Sequence, residues 1–152
     1  MTPNAESPAL SFRKATLNNC ALLAGLNHQL IEDEGHRNQM TVSELEQRMR
    51  EWLASEYSAV LFEEDNEVVA YVLYREQTDE VYLRQLFVAR NRRRQGIGRM
   101  AIEILRSQIW PQHKRLTIDV LVHNSAALAF WRAVGYRDYC LTLEILPKSA
   151  SK

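Results

Sequence analysis

The chain has 152 residues, 46% hydrophobic and 25% charged, enough for one domain with its own core and no need of disulfide staples. Nineteen Lys and Arg balance nineteen Asp and Glu, so broad electrostatic attachment to nucleic acid or to an anionic membrane is not expected, and any polyanion site must be local. No apolar run reaches membrane-spanning length and no secretory pattern opens the chain, which gives a cytoplasmic expectation. Cys20 and Cys140 lie far apart without metal-ligand spacing; they read as free buried thiols, and no metal is expected.

Residues 1–9 are polar, carry two prolines and lack periodicity, as in a loose tail, and residues 148–152 read the same way. One domain is expected over 10–147. It opens with a short alternating strand at 10–15. Thr16 can cap a helix reaching about Glu34, with Ala21, Leu22, Ala24, Leu26, Leu30 and Ile31 on its apolar side and Gly35 just past its end. Thr41 and Glu44 form a capping box for a second helix, in which Val42, Leu45, Met49, Trp52 and Leu53 recur at helical spacing.

Strands at 58–63 and 68–75 flank the polar turn Glu64-Asp65-Asn66-Glu67, and 81–88 is a third run rich in β-branched and aromatic residues. The basic, glycine-containing stretch 89–98 precedes a helix with Ile97, Met100, Ala101, Ile104, Leu105 and Ile109 on one face, ended by Pro111. A strand at 116–122 follows. Asn124 or Ser125 then caps a helix presenting Ala127, Phe130, Trp131 and Val134, Gly135 stops it, and 138–146 reads as a last strand. The order is β-α-α-β-β-β-α-β-α-β. The crossover from 81–88 to 116–122 makes those two strands parallel, while short turns make the earlier ones antiparallel. The expected architecture is an α+β layered domain, a mixed, mostly antiparallel sheet with helices on both faces.

The chemistry concentrates in Arg92-Arg93-Arg94-Gln95-Gly96-Ile97-Gly98-Arg99, between a strand and a helix. A helix N-terminus offers unsatisfied N–H groups and partial positive charge. Two glycines let the backbone approach a ligand, and arginines add charge-assisted hydrogen bonds. Together they suit a diphosphate. No Gly-Lys-Ser/Thr follows, so this is not a P-loop, and the spacing is not the dinucleotide fingerprint. A DNA-binding reading of Arg90, Arg92, Arg93, Arg94 and Arg99 has no support from the balanced charge of the remaining chain.

Arg93-Arg94-Gln95-Gly96-Ile97-Gly98 resembles the Gln/Arg-x-x-Gly-x-Gly/Ala motif of the GNAT superfamily of acyl-CoA N-acyltransferases. Asn124, Ala127, Phe130, Trp131, Gly135 and Tyr136 resemble that family's Asn-x-x-Ala-x-x-Phe-Tyr-x-x-x-Gly-Phe stretch, in register and with the same element order. The resemblance implies a GNAT fold whose parallel central strands splay apart. It also implies acetyl-CoA as cosubstrate, no metal, and an amine acceptor, with a small molecule preferred over a protein N-terminus or Lys side chain. A CoA-binding regulatory module without catalysis is the reading from another class. Members of the family often dimerise, so a homodimer is a further expectation, although no interface is specified by the sequence.

By the same resemblance, the backbone from Arg94 to Arg99, with Arg93, holds the pyrophosphate. Leu86, Phe87 and Val88 pair with the pantetheine arm, and the Val88 N–H is the donor to the thioester carbonyl. Asn124 bonds the pantetheine, and Phe130 and Trp131 wall it. Trp131 stands where the family usually has Tyr, and an indole N–H is no useful acid. The nearby substitutes for protonating the leaving thiolate are Tyr136, Tyr139, Cys140 or solvent. The family's usual glutamate base falls near Tyr82, which leaves Glu80, on the same strand face, and Asp119 as base candidates. Glu32, Asp33 and Glu34 oppose the dipole of the first long helix. With His36 and Tyr82, Glu32 and Glu34 are expected to border the acceptor and attract a cationic amine.

Overall fold

The structure, a computed structural model, describes residues 10–148; the expected tails, save residue 148, lie outside that range. The elements are β1 (Ser11–Lys14), α1 (Cys20–Glu34), α2 (Val42–Ala54), β2 (Tyr57–Glu64), β3 (Glu67–Glu76), β4 (Glu80–Val88), α3 (Ile97–Ile104, continued by a wider turn over Leu105–Ile109), β5 (Arg115–Ile118) and α4 (Ser125–Ala133). Among the described residues no helix is long and apolar enough to cross a membrane.

Local chemistry sets the boundaries. Thr16 caps a short 3-10 turn over Leu17–Asn19, and α1 starts one turn later than its cap suggested. Thr41 Oγ1 accepts from the Glu44 N–H at 3.2 Å while the Glu44 carboxylate accepts from the Thr41 N–H at 3.0 Å, the reciprocal box that starts α2. Gly35, at φ 62°, closes α1 in the left-handed conformation. Asp65 and Asn66 both take positive φ and join β2 to β3, the two-residue turn that matches strand twist.

The sheet order is β1-β2-β3-β4-β5, antiparallel throughout except for the parallel pair β4–β5. Its central strands read as near-continuous apolar runs because both faces are covered. Ala59, Leu61, Tyr71, Leu73 and Phe87 pack with Leu23, Leu30 and Met49 of α1 and α2. Val60, Phe62, Val72 and Leu83 pack with Ile97, Ala101, Ile102 and Trp131 on the α3–α4 side. The expected mixed sheet with helices on both faces is what the chain forms.

Three expectations need correction. The strand at 116–122 ends at Ile118, because β4 stops pairing with it there. The segment 138–146 is not a strand. Tyr139, Leu141, Leu143 and Ile145 alternate as a strand should, yet they are 63% to 99% exposed, since no neighbouring strand in this chain offers a ladder or a covered face. Cys20 is buried as read, but Cys140 lies on this segment and is exposed.

Candidate active site

The site begins with one extra residue. Leu73 of β3 faces Gln85 and Tyr74 faces Leu83, so Arg84 is an unpaired insertion in β4. Such a bulge bends its strand and interrupts pairing. On the other edge of β4, pairing with β5 covers only Glu80 to Leu83 against Arg115 to Ile118. Beyond that the strands part, and the β4 edge from Arg84 to Val88 has no strand beside it. The bulge also turns side chains over. Val81 and Leu83 face the α3 side, whereas Phe87 faces α1 and α2, where Tyr71 donates to Gln85 at 2.8 Å.

The open edge leads into the arginine–glycine loop. Arg94 and Gly96 adopt φ of 65° and 77°, and Gly96 stands at the N-cap of α3 with no side chain to bond its first turn. Thr16, Thr41 and Asn124 supply such a bond to the helical turns they open, whereas the first N–H groups of α3 receive none from its cap residue. A Cβ at Gly98 would lie 3.2 Å from the Phe130 ring, so the second glycine lets α4 pack against α3 here. Ile97 is buried and anchors the turn, whereas Gln95 is exposed.

The arginines divide their labour. Arg92 pairs with Glu64 at 3.2 Å. Arg90 and Arg93 both bind Asp33 at the end of α1, and Arg93 Nε also donates to the Val88 carbonyl at 3.0 Å. Burial alone would raise the Asp33 carboxyl, but the hydrogen bonds and charges of Arg90 and Arg93 outweigh it and hold the pKa below the usual range. Arg99 donates to the Ala133 carbonyl at the end of α4. Arg94 is exposed and, among the described residues, has no protein partner.

Other candidates fall as follows. Asp119 is the residue just past the last β4–β5 pair, and its Oδ2 accepts from the Tyr82 hydroxyl at 2.8 Å. Burial, then that bond, pushes the Tyr82 hydroxyl up to about 12. Glu80 pairs with Arg115 at 3.1 Å, and Tyr139 stacks 5.0 Å from the same guanidinium. Both therefore sit at the paired end of β4–β5, away from the fork. Asn124 Oδ1 accepts from the Ala127 N–H at 3.1 Å and caps α4. Leu86, Val88 and Phe130 lie partly buried against the α3-side core, while Phe87 is fully buried on the other side.

Trp131 is buried in that core, edge-on to Phe130 at 4.9 Å and to Tyr136 at 5.2 Å. Burial raises the Tyr136 hydroxyl to about 12, against the opposing charge of Arg106. The acids closing α1 are largely committed: Glu32 pairs with His28 at 3.1 Å and Asp33 with the loop. Glu34 is half-buried, which raises its carboxyl with help from Asp33. His36 accepts from the Asn38 N–H. Sequence patterning does not reveal Trp52, Arg48 and Arg84, which meet on the α2 side of the fork. The available signal was a lone arginine in the apolar run of β4.

The acetyltransferase (GNAT) family profile matches residues 27–136, well over half of the chain. No curated protein sequence matches. Solved structures share the fold. A possible acetyltransferase from Clostridium difficile 630 is 15% identical over 91% of this chain and 97% of its own, at a TM-score of 0.77. The aminoglycoside N-acetyltransferase AAC(6')-Iy in complex with CoA is 13% identical over 95% and 98%, at 0.74. A predicted acetyltransferase with acetyl-CoA from Clostridium acetobutylicum is 16% identical over 95% and 100%, at 0.70.

The loop geometry yields a controlled test. Gly96 and Gly35 both hold left-handed φ in open surroundings, so a valine at either should cost about 1–2 kcal/mol of stability. Only Gly96→Val is expected to weaken acetyl-CoA binding, by at least about ten-fold in calorimetry, the equivalent of about 1.4 kcal/mol. Equal affinities in the two variants would remove the loop from the binding site.

Proposed function

Because the chain belongs to the acetyltransferase (GNAT) family, we propose that it transfers the acetyl group of acetyl-CoA to a primary amine of a small molecule. The observation that carries this reading is the open β4 edge running from the fork into the uncapped N-terminus of α3. The loop backbone from Arg94 to Arg99 and the unpartnered Arg94 suit the diphosphate, by helix dipole and charge-assisted hydrogen bonding. The unpaired edge at Leu86 to Val88 suits the amide-bearing arm, which can add to it like a strand.

The amine must reach the fork neutral. An alkyl ammonium of pKa ~10.4 is deprotonated in only about one molecule in a few thousand at pH 7. Asp119, fixed by Tyr82 at the mouth, takes that proton, directly or through water. The amine nitrogen then attacks the carbonyl carbon, and the Val88 N–H bonds the developing oxyanion. The C–S bond breaks, sulfur keeps the electron pair, and solvent protonates the thiolate. With Trp131 buried in the core and Tyr136 turned towards Arg106, neither position supplies that proton.

The C-terminal segment, which pairs with no described strand, supports the homodimer reading. β5 is an edge strand whose outer side is open among the described strands. Beside it Ile102, Trp110, Leu116 and Val134, with Arg99, Glu103 and Arg106, line a cleft of about 620 Å³, in which Trp110 Nε1 is buried without a partner among the described residues. The alternating apolar face of Tyr139, Leu141, Leu143 and Ile145 is the strand that such an edge lacks, and a second copy supplies it.

Free thiol release from acetyl-CoA should depend on an added amine, and Asp119→Asn should lower kcat/KM roughly 100-fold at pH 7 with acetyl-CoA affinity unchanged. Undiminished turnover would remove Asp119 as the base; tight CoA binding with no turnover of any amine or peptide would favour the regulatory reading. Light scattering should give about twice 17.7 kDa for the protein and half that for Leu143→Pro. A monomeric parent protein at tens of micromolar would end the dimer reading.

A further inference from the structure

On the α1–α2 side of the fork lies a cluster that the transfer chemistry does not use. The Arg48 and Arg84 guanidiniums lie 4.3 and 4.6 Å from the Trp52 ring centroid. Tyr57 packs on Trp52 at 5.4 Å and bonds Arg84 Nη1 through its hydroxyl at 3.3 Å. Arg48 Nη2 donates to the Asn27 side chain at 3.2 Å. Arg75 extends the group, 5.4 Å from the Tyr57 ring and 5.6 Å from that of Tyr82.

The charge is unbalanced. Arg90 and Arg93 share Asp33, Arg92 has Glu64, and Arg75 has Glu56 at 3.8 Å. Among the described residues, no carboxylate pairs with Arg48 or Arg84. Burial, with Arg84 nearby, even works against the Arg48 charge. Arg48 Nε is buried and has no partner, and neither does Nδ2 of Asn27, a side chain almost fully buried. Like charges gathered without a counter-ion, with donors left unsatisfied, are unfavourable for the fold alone. An anion would reverse both terms, and the planar forks of Arg match a carboxylate.

Position turns this into a statement about substrate. Arg84 is the bulged residue, one step past the last β4–β5 pair, so the cluster adjoins the place where the acceptor amine must sit. Resting on the amine-acetylation reading, we propose that Arg48, Arg84 and Asn27 form an anion subsite, and that the acceptor is an amine which also carries a carboxylate, an amino acid or a short amino-acid derivative. Trp52, Tyr57 and Tyr82 provide apolar surface for its remaining atoms. A polycationic acceptor is disfavoured by the same guanidiniums, while Glu32 and Asp33 at the end of α1 are engaged by His28, Arg90 and Arg93.

Two readouts separate this proposal from the reading beneath it. The first is thiol release with amino acids, their amides, aminoalkyl phosphates and polyamines. The acids should exceed their amides in kcat/KM by ten-fold or more, through KM, and Arg84→Gln should abolish that ratio while Arg84→Lys retains part of it. The second needs no turnover. N-acetylated amino acids should raise the melting temperature of the CoA-loaded protein, their amides should not, and Arg84→Gln should lose the effect with CoA affinity intact. Carboxylate binding without turnover would uphold the subsite and sink the acetylation reading. A preference for aminoalkyl phosphates, for polyamines, or for acids and amides alike would overturn the carboxylate proposal. An unchanged acid preference in both Arg84→Gln and Arg48→Gln would also overturn it.

Discussion

The inserted residue in β4 is the constraint on which the rest depends. Without Arg84 as an extra, β4 could continue beside β5 and its backbone groups would be spent on a ladder. With it, the parallel pair ends at Leu83 and Ile118, and the β4 edge runs on towards the loop with no described strand beside it. Buried backbone donors and acceptors must be paired. A strand that loses its neighbour offers its free groups to something else, and on the proposed reading an extended ligand arm with amides takes that place. The same insertion brings Gln85 and Phe87 to the α1–α2 face, so a single residue shapes both the cosubstrate edge and the acceptor wall.

Charge placement obeys a similar economy. A run of arginines at a helix N-terminus repels itself unless most of its charge is neutralised. Glu64 holds Arg92, and Asp33 holds Arg90 and Arg93, so the acids that disfavour the end of α1 in isolation become counter-charges for the loop. What looks unfavourable within one helix is favourable between two elements, and the low Asp33 pKa records it. Among the described residues Arg94 is left exposed with no protein partner.

Much of this was legible in the chain. Capping boxes, the Asp65-Asn66 turn and the apolar runs place nearly every element through Ile118, because each depends on local chemistry. The glycine loop was legible for the same reason. The fork was not: a bulge is a relation between two strands, and nothing in the sequence of β4 says which residue β3 will leave unpaired. Period-two alternation failed at Arg84, the residue where the site is built. The role of Asp33 as counter-charge for the loop was not legible, because its partners Arg90 and Arg93 lie 57 and 60 residues away. Alternation at 139–145 correctly marked a strand-forming pattern, but pattern cannot supply an edge to pair with. Strand formation needs a neighbour, and among the described residues no strand pairs with this segment.

Trp131 shows how one position can leave the chemistry while the scaffold remains. The Trp131 indole turns inward and fills the gap between Phe130 and Tyr136. Those edge-on contacts anchor α4, and through Phe130 they press it against Gly98 of the loop. Packing of the helix and shape of the anion site are therefore coupled. The position is held by packing, because no solvent molecule can substitute for the ring that helps set the distance between two helices.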